Sequence, residues 1–235
     1  MAVAKYALEH FYYGQFVRNN QAEGDARLLA RSAGIKDEQV EEALQAAALP
    51  AMPYNPSGAW ALIRGSKVPF FMAQAQTGEA GQSMLHIIIM PTDVLRGLSG
   101  NLTAMQTLVE PAMPVYDRLG DTLPPRLLPQ AGAPSDEQQI DAILSLMTYT
   151  GNQTNTIMKL LSALVQGQQI VIQNAPADLS TRVTFIEGLL ALLPASTRFG
   201  VTFTTHLTPK VKLNTQISFY SGESYPENAL FYDWE

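Results

Sequence analysis

The chain has 235 residues, no cysteine, and 15 basic against 21 acidic side chains, a net charge of −6. Without thiols, disulfides, thiolate metal centres, iron–sulfur clusters and cysteine nucleophiles are excluded. The negative balance disfavours wholesale binding of a phosphate backbone. Charged residues are only 15% of the chain and hydrophobic ones 46%, where about 25% charged is typical of soluble domains. Much of the surface is therefore expected to be buried or to face a partner.

In chain order, residues 7–17 carry Phe11, Tyr12, Tyr13 and Phe16, a density that suits a pleated strand with both faces apolar. Residues 24–35 read as a short strand or turn and strand around Leu28-Leu29-Ala30. A helix is predicted over 36–48, with Val40, Ala43, Leu44 and Ala47 on one face and Asp37 as N-cap. Its carboxylates Asp37, Glu38, Glu41 and Glu42 read as a solvated face helped by the helix dipole. Three strands follow, 60–64, 68–76 and 83–90, the last two joined by a glycine-bearing hairpin loop. Pro91-Thr92-Asp93 ends this sheet and opens a helix to Leu98, with Thr92 as the expected cap. With two short helices for at least four strands, some apolar sheet face or edge in this part is expected to stay open, the alternative being that the first and second parts of the chain pack on each other.

Six prolines fall within the 24 residues 111–134. Proline has no amide donor, so an extended connector with few ladder bonds is predicted there. It separates a strand-rich part, 1–110, from a second part, 135–235, each small enough that a single shared core is the alternative to two separate ones.

The second part switches to helical period. Ser135 caps a helix bearing Ile140, Ile143, Leu144 and Met147; 152–165 is a second helix, stopped by Gly167. A third helix spans 179–193 and ends at Pro194. Ile170-Val171-Ile172 is a short apolar strand, and 200–207, 212–220 and 229–234 are further strands. Strand, helix and strand over 169–207 predict a right-handed parallel crossover. The strand at 212–220 is expected to return antiparallel through Thr208-Pro209-Lys210. The fold class is thus α+β, or mixed α/β. An N-terminal, largely antiparallel sheet with one or two helices precedes a C-terminal part of three helices and a mixed sheet.

Few residues point to chemistry. The loop after Ile172 has neither glycine nor a Lys-Ser/Thr pair, so a Walker-type phosphate cradle is absent, as is any dinucleotide fingerprint. The histidines, His10, His86 and His206, form no helical i,i+4 pair. His86, inside a strand, reads as a packed core histidine. His206 follows Thr204 and Thr205 near a strand end, and no nucleophile elbow accompanies it. Arg198 suits either a clamp on a carboxylate or phosphate or a tie to loop carbonyls. No catalytic residue, metal ligand or cofactor is assigned. Should a ligand bind at the carboxyl ends of the parallel strands, Asn174, Arg198 and His206 are the candidate residues.

No secretory signal opens the chain, and the apolar runs 85–90 and 189–194 are far shorter than the ~20 residues of a spanning helix. A cytoplasmic protein without membrane insertion is expected, and the sequons at Asn101 and Asn152 are read as chance matches. The ending Asp233-Trp234-Glu235, directly after a strand-like run, reads as that of a fragment of a longer polypeptide.

One set of features carries a family resemblance. Tyr13-Gly14 is followed by Arg18, then by Leu28-Leu29-Ala30-Arg31-Ser32-Ala33-Gly34-Ile35 leading into an acidic helix. Ala61-Leu62-Ile63-Arg64, His86 before Pro91, Leu192-Leu193-Pro194, Arg198 and Phe203-Thr204-Thr205 complete it. This order resembles the N-terminal region of bacterial GTPase-associated proteins of conflict (immunity-like) systems. The resemblance implies an accessory role beside a GTPase or effector and brings no catalytic residues.

The expected function is a non-enzymatic protein-binding or adaptor module of a larger cytoplasmic bacterial assembly. Its partner would be another protein or further domains of the same polypeptide, not nucleic acid. The alternative is a divergent nucleotide- or small-ligand-binding enzyme domain, favoured if Asn174, Arg198 and His206 converge on one cleft. Lacking a phosphate cradle, the chain should show no saturable ATP or GTP binding at millimolar concentration in calorimetry.

Overall fold

A computed structural model describes residues 4–18, 21–47, 58–77, 82–109, 114, 116, 119–129, 132–207, 215–222 and 228–235. The first elements are β1 (Ala4–Leu8), β2 (His10–Arg18), β3 (Gln21–Ser32), α1 (Asp37–Ala47), β4 (Ala59–Arg64), β5 (Pro69–Thr77) and β6 (Gln82–Ile89). Next come α2 (Thr92–Leu98), α3 (Leu102–Gln106), β7 (Asp121–Leu123) and β8 (Arg126–Pro129). The remainder is α4 (Asp136–Tyr149), α5 (Thr154–Val165), β9 (Ile170–Gln173), α6 (Leu179–Ala191), α7 (Ala195–Arg198), β10 (Phe203–Leu207), β11 (Ile217–Tyr220) and β12 (Leu230–Asp233). The class is α+β, as the sequence predicts.

Ten strands form one mixed sheet in the order β12-β9-β11-β10-β4-β5-β6-β2-β3-β7, and β1 pairs with β8 in a separate two-stranded sheet. From β10 through β3 every neighbouring pair is antiparallel. At the other end β12, β9, β11 and β10 all run parallel. The two regimes meet where β10 pairs antiparallel with β4, Phe203 opposite Leu62 and Thr204 opposite Ala61. Strands from both sides of the proline-rich segment thus lie in one sheet, and one buried cluster draws on both, from Trp60 and Phe71 to Phe185 and Phe219.

Several expectations are corrected. β11 runs parallel to β10 rather than returning antiparallel; it is inserted between β9 and β10. Its run Ile217-Ser218-Phe219-Tyr220 is buried throughout, the mark of a parallel strand covered on both faces. The expected turn at Thr208-Pro209-Lys210 and the centre of the 77–82 loop lie outside the described residues. The proline-rich segment does pair: β7 lies parallel to β3, and β8 antiparallel to β1. Its prolines Pro124 and Pro125 fall between these two strands, where no donor is required. Pro91, not Thr92, occupies the N-cap of α2, and Asp37 is already the first residue of α1. β3 is a full 12-residue strand. Two short helices, α3 and α7, were not anticipated; Asn101, at one of the sequons, caps α3 by accepting from the Ala104 amide.

Along the described residues of β5 and β6 no sheet face is left open. In β5 and β6 consecutive residues Phe70 and Phe71, and Ile87 and Ile88, are each fully buried, so both faces are covered. Val40 and Ala43 of α1 join Phe11, Ile63, Phe70 and Ile87 on one face. Residues of α2, α3, α4, α5 and α6 join the cluster on the other.

Ser135 closes a full capping box on α4 with Gln138, which fixes where that helix starts. α4 then packs on α6 at Gly188, where an added Cβ would sit 2.6 Å from the Ala142 carbonyl oxygen and 2.6 Å from the Leu146 Cβ. Backbone on one side leaves little room to give. Gly188→Ala should therefore lower stability by about 1–3 kcal/mol, a fall of roughly 2–4 °C in Tm per kcal/mol for a chain of this size. Gly132→Ala, where a Cβ meets nothing within 4 Å, should leave the thermal transition in place.

Candidate functional site

The parallel end of the sheet builds a cleft of about 510 Å³. It opens at the carboxyl ends of β9 and β11, with Ile172 to Ala175 on one side and Phe219 to Gly222 on the other. From β9 the chain leaves toward β10, passing β11; from β11 it leaves toward β12, passing β9. Connections departing in opposite directions from neighbouring parallel strands make a crevice, the usual ligand position in open α/β sheets.

His206 reaches this cleft through a bulge in β10. Thr204 pairs with Ser218 and Leu207 with Tyr220, so β10 carries one residue more than β11 over that stretch. Such an insertion bends the strand and re-aims a side chain. The Thr204 hydroxyl fills the gap, donating to the His206 carbonyl at 2.8 Å. The His206 ring lines the cleft, and its Nε2 is buried with no hydrogen-bond partner. Burial first, and then the nearby Arg182 charge, lower its pKa below the ordinary 6.5, so the imidazole is neutral at pH 7.

Arg182, from the first turns of α6, is the cation of the site. Its Nε donates to the Pro176 carbonyl at 2.7 Å, Nη1 to Thr205 at 2.6 Å, and Nη2 to Ala175 at 3.2 Å. The guanidinium carbon lies 5.5 Å from the centre of the Phe219 ring. Burial lowers its pKa while the Asp178 carboxylate raises it, yet an arginine remains charged. Asp178 itself is spent on the N-terminus of α6, accepting from the Thr181 amide at 2.8 Å and from the hydroxyls of Ser180 and Thr181.

Asn174 leaves β9 with a left-handed φ of 56°, a conformation asparagine tolerates better than most residues. Its Nδ2 donates to Asp233 Oδ1 at 2.8 Å, tying the end of β9 to β12. Beside it Gln173 donates to the Gly222 carbonyl across the mouth of the cleft.

Of the three sequence candidates, Asn174 and His206 meet in this cleft and Arg198 does not. The buried Arg198 guanidinium donates from Nε to the Leu193 carbonyl at 2.9 Å and from Nη2 to Ala191 at 3.0 Å. It closes the last turn of α6 as a tie to loop carbonyls, beside a different crevice between α4 and α6. Arg182 takes its place in the cleft. The available signal was a basic residue in the first turns of the helix predicted over 179–193, whose other charged residue is Glu187; the bulge had none. Among the described residues no group of three or more His, Asp or Glu is placed to hold a metal ion, and no helix is long and apolar enough to cross a membrane. No family model matches the chain, and no curated protein matches it either.

The other two histidines meet in the core, although 76 residues separate them in sequence. His10 Nε2 lies 3.0 Å from the Pro124 carbonyl and must donate to it. With both rings neutral, His10 Nδ1 then accepts from His86 Nε2 at 2.9 Å. His86 Nδ1 is left as a buried acceptor without a partner. Tyr12 stacks on the His86 ring at 4.4 Å. Burial, then the repulsion that a protonated His10 would exert, then the Arg126 charge, hold the His86 pKa well below 6.5. The unfolded chain therefore binds a proton that the folded one refuses, and stability rises with pH across that interval. The thermal midpoint should fall as pH drops from about 7 to 5, and His86→Phe should flatten that slope; His206, shifted the same way, supplies a remainder.

Proposed function

We propose that the chain is a protein-binding adaptor module of a larger assembly, and that the outer side of α4 is its docking surface. The observation that carries this reading is that α4 is apolar on both sides. Ala142 and Leu146 are buried toward α6, whereas Ile140 and Leu144, one turn apart on the opposite side, are 56% and 54% exposed. Ile143 and Met147 flank them, half-buried. Leaving such a side chain in water forgoes about 1.5–3 kcal/mol of burial. A surface helix normally confines its apolar residues to the one stripe that faces the core.

Charge describes the partner. Glu137, Ile140, Asp141, Leu144 and Thr148 are all exposed at helical spacing, and α4 contains no basic residue. A partner helix with an apolar stripe flanked by lysine or arginine fits this surface in both respects. The resemblance to GTPase-associated proteins of conflict systems supports an accessory role of this kind, beside a GTPase or effector.

The test begins with a photo-crosslinking residue at position 144 in the native host, which identifies what lies on α4. The captured protein is then made pure and its affinity measured against the paired variant Ile140→Glu/Leu144→Glu. Binding should weaken by at least tenfold, equivalent to about 1.4 kcal/mol, and more so as salt rises for the unmodified chain. The thermal midpoint should stay within a few degrees, because exposed substitutions usually cost under ~0.5 kcal/mol. Unchanged affinity in the pair would refute the surface.

A further inference from the structure

We propose a separate activity for the cleft at the ends of β9, β10 and β11: it binds a small organic carboxylate, held by Arg182 and the His206 imidazole. Arg182 makes no direct ion contact among the described residues, where the ion pairs are Arg31–Asp37 and Arg96–Asp93. The nearby Asp178 carboxylate raises its pKa but spends its hydrogen bonds on the start of α6. A partly buried guanidinium gains from a counter-charge bound directly to it. Arg182 has five N–H donors, and its three carbonyl bonds use one on each nitrogen. One N–H on each terminal nitrogen is unspent, the pair that a carboxylate takes bidentately.

The surroundings narrow the class. His206 adds a neutral ring nitrogen without a partner, suited to a hydrogen bond rather than to a second charge. Ile172, Phe219 and Tyr220 give the cleft apolar walls for an organic body. About 510 Å³ lies within the 300–1,000 Å³ usual for small-molecule sites. Phosphate fits less well, because a dianion meets a single cation here. The helix end that would help it is already capped by the Asp178 carboxylate. One guanidinium balances one carboxylate.

The probe is sodium benzoate, titrated into the full chain with the Arg182 Nε–H and His206 ring resonances followed by NMR, alongside inorganic phosphate. Saturable shifts of both groups with benzoate, and weaker ones with phosphate, are expected. Arg182→Lys and His206→Ala should each weaken benzoate about tenfold or more. Should R182K fail to fold for want of its carbonyl ties, H206A decides. The α4 pair I140E/L144E should bind benzoate as the unmodified chain does, which separates this site from the docking surface. Absence of saturation, phosphate binding as tight as benzoate, or full affinity in H206A would each overturn the proposal.

Discussion

The antiparallel and parallel halves of the sheet are joined by a seam only two ladder pairs long, Phe203 with Leu62 and Thr204 with Ala61. Side chains extend it at both ends. The Trp60 amide donates to the Thr205 hydroxyl at 2.8 Å, and Arg64 donates to the Gly200 carbonyl at 3.1 Å. The Thr205 hydroxyl is required because the bulge in β10 has turned its own carbonyl toward Arg182. The distortion that places His206 at the cleft is thus also the one the seam has to accommodate. Seam and cleft form a single piece of geometry, and a change that straightens β10 would disturb both.

From that seam the layering follows. α6 packs on β10, and α4 packs chiefly on α6, meeting the sheet at its end, where the Tyr232 hydroxyl donates to the Tyr149 carbonyl at 3.2 Å. Gly188 allows the close approach that holds this outer layer. A helix in a second layer has one side facing outward, and an ordinary chain would make that side polar. In α4 it carries Ile140 and Leu144 instead. Exposed apolar side chains also occur singly elsewhere, on α5 at Met158 and Val165 and on strands at Leu127 and Phe231; on α4 two of them stand one turn apart.

The protein holds two imidazoles that each have an unpartnered ring nitrogen, and their settings differ. His86 is fully enclosed, stacked on Tyr12 and bonded to His10, which in turn holds the Pro124 carbonyl. Its polar atoms serve to fasten the β7–β8 turn to the sheet. His206 lies at a cleft beside the Arg182 guanidinium, which makes no direct ion pair among the described residues. Equal chemistry thus supports an internal fastening in one place and a ligand contact in the other. Access and neighbouring charge make the difference.

Local signals were legible wherever one residue type governs one local geometry. Ser135 as a cap, Gly167 and Pro194 as helix ends, and the periods of α4, α5 and α6 are all present in the sequence because capping and period act within a few residues. The continuous apolar runs of β4, β5 and β6, bounded by turn residues, were legible for the same reason. Parallel pairing of β10 with β11 was not, since an apolar strand reads alike in either direction and the partner is chosen by the sheet. The meeting of Asn174, His206 and Arg182 was half visible: strand ends mark where a site lies, but the bulge that delivers His206 leaves no mark on residue order. Arg182 lies in the first turns of α6 and Arg198 ends α7, and nothing in the residue order tells their roles apart. Tertiary structure alone closes one onto the last turn of α6 and leaves the other with charge to spare, because each guanidinium is assigned by the carbonyls that folding brings within reach.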